Sequence, residues 1–403
     1  MRAARAAFWL RAAPAVFVMA WGGNHFTPLL SLYRDVGHYS ELSVDLFLAT
    51  YVLGLIPGLL ISGPLSDRYG RKPLTVIGVL VGIAASLILA VSFRNEALMC
   101  AGRMLAGAGV GIGMAVGTSW LKELSMAPFD KTGDSTAGAR RPSLILTLGF
   151  GLGAGASGVL AQWGPWPTAT PYALHVLLSL GALAALIKAP ETVRPEILAP
   201  GERPASLRDD LRVPLVSHRR FRRVILPAAP WIFATAGVAY AVIPMLEGTR
   251  LGSMTLGYAT LLTVLTLGTG ALVQPFVARI NRATRGRALL VGMAAMIIGL
   301  VVAAVNAHYL SLVAGAAAAI MLGAAYGIAL VSGLVEIQGI ATGRDLAGLT
   351  GVFYSLSYLG FLLPVALAAL ATFANYTVLL GIVAVVCIAS LTVVSTGLRR
   401  TSA

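Results

Sequence analysis

Charge is what this chain has least of. Only 11% of its 403 residues are charged, against 57% hydrophobic, and the mean hydropathy is +0.83. That leaves too little polar surface to cover a soluble body of this size. Acids are scarcer than bases, 16 against 30, for a net charge of +14. Such a balance can mark a nucleic-acid binder, but here the bases are mostly arginines in short segments between apolar runs, where they orient a membrane chain and meet anionic headgroups. No nucleic-acid partner is expected. Cysteine is nearly absent: Cys100 and Cys387 both lie inside apolar runs, which excludes a disulfide framework and offers no metal site. A phosphate-binding G-K-[ST] loop is missing too, since only Lys131 is followed by Ser or Thr, and Asp130 rather than Gly precedes it. Neither H-E-x-x-H nor G-x-S-x-G occurs. ATP-driven pumping by this chain, and hydrolysis by those two routes, are therefore not expected; neither are enzymatic activity, a cofactor or a metal.

What is present is a series of twelve apolar runs, near 12–31, 44–63, 73–92, 97–117, 143–162, 170–188, 224–246, 255–278, 288–307, 309–333, 346–370 and 376–396. Runs of about 20 residues can cross a bilayer core of about 30 Å as helices. Arg2, Arg5 and Arg11 before the first run resemble the start of a signal peptide, but a basic 63–73 segment on the same side as the N-terminus needs two spans before it. With both termini inside, only Arg34, Arg94 and Arg250 fall in external loops and Arg103 within a span; every other Lys and Arg is cytoplasmic, as the positive-inside rule requires. The expected location is the cytoplasmic membrane.

Between the second and third runs lies GPLSDRYGRKP, residues 63–73. An acid, three bases and two glycines at fixed spacing resemble the loop signature G-x-L-x-D-R-x-G-R-K of the major facilitator superfamily, with Gly63, Leu65, Asp67, Arg68, Gly70, Arg71 and Lys72 matching. The resemblance implies an all-α integral membrane protein of twelve transmembrane helices in two pseudo-symmetric six-helix bundles. The expected division is 1–188, a cytoplasmic linker 189–223 ending in the arginine-rich SHRRFRR at 217–223, and 224–403. An internal repeat agrees: GAGVGIGMAVG at 107–117 aligns with GAAYGIALVSG at 323–333, and GPLSDR at 63–68 with QPFVAR at 274–279. The second copy has Ala278 at the acid position, so whatever Asp67 does is done in one half only.

Two further stretches bear on function. Arg103, Gly107 and Gly109 in the fourth run fit the R-x-x-x-G-x-G core of proton-coupled family members, and an arginine within a span faces a cavity or partner unless it snorkels to the nearby surface. In the fifth run Gly149, Gly153 and Gly158 resemble the family's antiporter signature, although Ala154 replaces its proline and Ser157 a glycine. The G-x-G-x-x-G spacing of Gly153, Gly155 and Gly158 lacks the strand context of a dinucleotide site and reads as close helix packing.

No carboxylate falls at mid-membrane in these spans, and Asp45, at the outer start of the second, is the deepest acid. Trp21, Asn24 and His25 share one face of the first span, and the imidazole ordinarily titrates near neutral pH. A packed, hydrogen-bonded histidine is the plainer alternative. His25, Asp45 and Arg103 are the proton-coupling candidates, with Glu123 and Glu336 at the inner ends in reserve. Tyr51, Trp231, Tyr240, Tyr326, Tyr354 and Tyr358 offer π faces with polar ends and, with Trp21, Asn24, His25 and Arg103, are the solute-binding candidates; each aromatic can equally be packing. Gln274 aligns with the loop signature and belongs at the inner rim. The gating group is Gly63, Asp67, Arg68, Gly70, Arg71 and Lys72 with Glu123, which is expected to pair with Arg71 while Asp67 faces the start of the eleventh span near Asp345. The expected function is export of a hydrophobic or amphipathic, drug-like molecule in exchange for protons by a monomer that meets solute, protons and lipid. A sugar or metabolite transporter, or a transporter-like receptor that moves nothing, are the alternatives.

Overall fold

The computed structural model describes residues 7–130, 137–193, 213–341 and 346–401. Apolar residues without polar interruption leave the backbone to satisfy its own hydrogen bonds, and in lipid a helix is the way an open chain does so. The described residues form twelve main helices: α1 (Trp9–Asn24), α2 (Glu41–Tyr69), α3 (Arg71–Val91), α4 (Glu96–Leu124), α5 (Ala137–Trp163), α6 (Thr170–Leu186), α7 (Phe221–Arg250), α8 (Gly252–Ala283), α9 (Ala288–Tyr309), α10 (Leu312–Ile340), α11 (Leu346–Tyr358, continued through Leu359–Phe361 to Leu362–Leu370) and α12 (Tyr376–Thr401). Ten are long and apolar enough to cross a membrane; α1 and α6, at 16 and 17 residues, are shorter.

Several boundaries differ from the sequence expectation for local reasons. The first run does not stay helical to residue 31: α1 ends at Asn24 and a 3-10 turn at Thr27–Leu29 precedes the short helix Leu30–Asp35. Pro28 brings no N–H and disfavours the α conformation of the residue before it. The segment 63–73 is no loop. Helix α2 runs to Tyr69 and α3 starts at Arg71, so the connection is Gly70 alone. At the other end of the chain's middle, Phe221, Arg222 and Arg223 are already helical rather than linker.

Contacts group the chain into two compact units, one of Met1–Phe26, Leu53–Leu160 and Gly164–Arg212, the other of Thr27–Val52, Ala161–Trp163 and Val213–Ala403. Within each, glycines let helices close on one another. In the first unit a Cβ at Gly111 of α4 would lie 2.5 Å from the Leu55 carbonyl of α2; in the second, one at the repeat-related Gly327 of α10 would lie 2.3 Å from the Gly270 carbonyl of α8. The sequence repeat is thus a repeat of packing. Gly149 and Gly153 of α5 likewise seat against Phe17, Ala20 and Trp21 of α1, so the glycines of the fifth run serve helix contact.

Candidate functional site

The charged segment is built around Gly70. Its φ of 102° and ψ of 154° lie in a region open in practice only to glycine, and a Cβ there would stand 2.6 Å from Glu191 Oε2. The space belongs to Glu191, whose carboxylate accepts the backbone N–H groups of Arg71 (3.0 Å) and Lys72 (2.9 Å) and so caps the positive end of α3. Lys72 in turn donates from Nζ to the carbonyls of Ile187 and Ala189, at the negative end of α6. Arg71 is the hub. Its guanidinium meets Asp67 Oδ1 at 2.6 Å, Glu123 Oε1 at 3.2 Å and Ser66 Oγ at 2.5 Å, joining α2, α3 and α4. Glu123 also accepts from the Thr192 hydroxyl. Asp67 is 64% exposed and Arg68 half-buried, while nothing lies within 4 Å of a Cβ at Gly63. Sequence reasoning missed Glu191 because nothing in the chain order brings residue 191 to residue 71. The expected counterpart of Asp67 is the start of the eleventh span near Asp345, a residue that lies outside the described residues.

Also in the first unit, Arg103 of α4 is 0% exposed and its guanidinium stands 4.2 Å from the centroid of the Phe26 ring. It faces inward and does not snorkel. His25, just past the end of α1, is buried between Tyr172 and His175 of α6, each ring 4.9 Å away edge-on, and neither ring nitrogen makes a hydrogen bond. The alternative of a hydrogen-bonded packing histidine therefore fits His175 better: its Nδ1 meets Ser86 Oγ at 2.7 Å and its Nε2 the Val18 carbonyl at 2.9 Å. The carbonyl can only accept, so Nε2 carries the proton and Nδ1 accepts from Ser86. His175 escaped the sequence reading, although the argument applied to His25, a histidine within an apolar run, selects it equally. Trp21 is buried with no partner for Nε1, and Asn24 is half-buried at the last turn of α1.

In the second unit, Asp45 of α2 is 8% exposed, with Arg34, Glu41 and Tyr376 as its charged and titratable neighbours. Among the described residues it is not the most buried acid. Glu247 of α7 is 0% exposed, because α7 continues as one helical stretch through Arg250 where the sequence reading ended the span at residue 246. Glu336 of α10 pairs with Arg220 at 2.7 Å and, with Ala278, Arg282 and Ser332, lines a cleft of ≈ 250 Å³. Gln274 stands half-buried in the 3-10 turn Gln274–Phe276 that interrupts α8.

The aromatic candidates divide. Tyr51, Tyr240, Tyr326 and Tyr358 come together, and the two rings that join them are Phe233 of α7 and Phe361 of α11. Phe233 stacks on Tyr358 at 4.3 Å and lies 6.0 Å from Tyr326; Phe361 lies 6.5 Å from Tyr51, 6.2 Å from Tyr240 and 5.6 Å from Tyr358. Tyr354 pairs with Phe353 instead, and Trp231 stands half-buried on α7. Two phenylalanines were missed because they lack the polar end by which the tyrosines were chosen. What brings Phe361 in is Gly360, where a Cβ would lie 2.2 Å from the Pro230 carbonyl of α7.

Long apolar helices in two repeated units, buried charge and a clustered aromatic surface define a multi-pass membrane transporter fold. Residues 12–363 match the family model of the Major Facilitator Superfamily, and the chain belongs to that superfamily. Curated relatives are similar over parts of their length. They include the 4-hydroxybenzoate transporter PcaK of Pseudomonas putida (31% identical over 193 residues, 46% of this chain and 37% of that protein) and the glucose transporter GlcP of Staphylococcus epidermidis (33% over 122 residues, 30% and 26%). The multidrug resistance protein MdtL of Klebsiella pneumoniae is 31% identical over 78 residues, 19% of each chain. The chain thus spans well under half the length of each of these relatives. In fold it is similar to a crystal structure of a point mutant of the nucleoside transporter NupG, with a TM-score of 0.75 at 12% identity over 97% of this chain and 99% of that one.

Proposed function

We propose that this transporter exports hydrophobic or amphipathic small molecules bearing aromatic groups, in exchange for protons, across the cytoplasmic membrane with both termini inside. The observation that carries the reading is the aromatic cluster of the second unit. Its six rings present faces that attract aromatic and lipophilic cationic solutes by stacking and cation–π contact, without a fixed charge that selects one anion or sugar. Arg103 and His25 in the first unit, and Asp45 in the second, supply buried groups able to sense or carry charge.

A second reading draws on one observation. The resemblance to a 4-hydroxybenzoate transporter covers 46% of this chain, and Arg103, buried over Phe26, suits a carboxylate-bearing aromatic solute. Tetraphenylphosphonium and 4-hydroxybenzoate separate the two. In inside-out vesicles with an imposed pH gradient, the first reading expects accumulation of tetraphenylphosphonium, lost in Tyr358→Ala and kept in Tyr309→Ala, whose ring is exposed outside the cluster. Accumulation of 4-hydroxybenzoate alone supports the second reading and overturns the first.

A further inference from the structure

A buried carboxyl at the end of α7 goes unused by that account. Glu247 is fully enclosed by α8, α9 and α10, and its partners are arranged in an order that has chemical meaning. Asn306 of α9 donates from Nδ2 to Glu247 Oε1 at 2.5 Å. The orientation of that amide is settled by its other end, since Oδ1 accepts the backbone N–H of Ser311 at 2.9 Å. Tyr258 of α8 stands beside the carboxyl: a Cβ placed at Gly315 of α10 would lie 2.5 Å from each Glu247 oxygen and 2.6 Å from the tyrosine oxygen. The hydroxyl of Tyr258 donates to the Leu312 carbonyl at 2.8 Å. A hydroxyl has one proton to give, and here the Leu312 carbonyl takes it.

Oε2 has no hydrogen-bond partner. A carboxylate there would be a desolvated charge with one oxygen unmet by any donor; a carboxylic acid carries no such charge. We propose that Glu247 is a proton-binding site of this transporter: it holds a proton in the arrangement seen here, and releases it when α7 moves from α8, α9 and α10 and water reaches the carboxyl. The other groups facing it are few. Its own segment contributes Arg250, which is exposed; α8 contributes Tyr258, α9 the Asn306 amide, and α10 only backbone at Leu312 and the open face of Gly315. The absence of a side chain at residue 315 is what lets the carboxyl occupy this place. In the proton exchange proposed above, on which this part rests, Glu247 is a coupling group in the second unit.

Glu247→Gln tests the site with a folded variant, because a glutamine amide is neutral and matches the protonated acid in shape, and its oxygen can still accept from Asn306. Infrared difference titration of the full chain in lipid is expected to show a carboxylic-acid C=O band at neutral pH that Glu247→Gln removes. Gly315→Ala should shift or abolish that band by crowding the carboxyl, while Gly339→Ala, with open space at its Cβ, leaves it unchanged. Identical spectra for wild type and Glu247→Gln overturn the proposal. With tetraphenylphosphonium as the probe, Glu247→Gln should lose pH-gradient-driven accumulation by about tenfold or more, the effect of about 1.4 kcal/mol, yet retain solute exchange; undiminished accumulation overturns the coupling role. A wild type that shows the band but no gradient-driven accumulation counts against the exchange reading and leaves the proton site standing.

Discussion

Gly63 and Gly70 bracket the charged segment, and a methyl group meets opposite surroundings at the two. At Gly70 it would enforce a backbone conformation that L-residues avoid and strike the carboxylate that caps α3; at Gly63 it would enter open space on a helix. Gly70→Ala is therefore expected to destabilise the protein by about 1–3 kcal/mol, seen as a lower apparent melting temperature in detergent, whereas Gly63→Ala is neutral or slightly stabilising. Equal shifts for the two would remove Glu191 and the φ value from the explanation. His25 and Asp45 belong to the same scale. His25→Ala or Asp45→Asn is expected to abolish pH-gradient-driven transport of tetraphenylphosphonium but spare its exchange, measured as counterflow in proteoliposomes; a double variant that still concentrates the solute using protons would clear both residues. Residues of this kind were half legible in the sequence. An acid or histidine inside an apolar run stands out, as His25 and Asp45 did, but Glu247 was lost by ending the seventh span at residue 246, just before it, and Glu191 needs a contact 120 residues away in the chain to have meaning.

Among the elements, the ion pairs of Arg71 hold α2, α3 and α4 at one end, with Glu123 half-enclosed and Asp67 open to water. An exposed pair contributes little to stability, so Asp67→Asn should leave expression and solute binding largely intact. Its expected effect is on turnover, a fall of about tenfold or more, because a contact present in one conformation and absent in another biases their balance. Wild-type turnover in that variant would exclude Asp67 from gating. Gly111→Ala and Gly327→Ala probe the repeat: each Cβ would collide with a neighbouring backbone carbonyl, so both should lower thermal stability, and a large effect in one unit alone would deny the equivalence of the two packings. Helix count and the positions of most spans were readable from hydropathy, since lipid leaves the backbone few options. The breaks were not. The turn after α1, the 3-10 segment carrying Phe361 and the single-residue joint at Gly70 depend on which neighbour each backbone touches.

For the molecule as a whole, family and fold were legible because the charged segment and the repeat are local strings, while the rings proposed to set solute choice are brought together from α2, α7, α10 and α11. The central claim is that solute movement and proton movement are one process in this chain. Proteoliposomes containing the purified protein and an internal pH-sensitive dye measure it directly, with tetraphenylphosphonium added outside and no other gradient imposed. The account predicts a change of internal pH that begins with solute addition, saturates with solute concentration and is lost in Glu247→Gln. Solute uptake that proceeds at the wild-type rate with no accompanying pH change would contradict it.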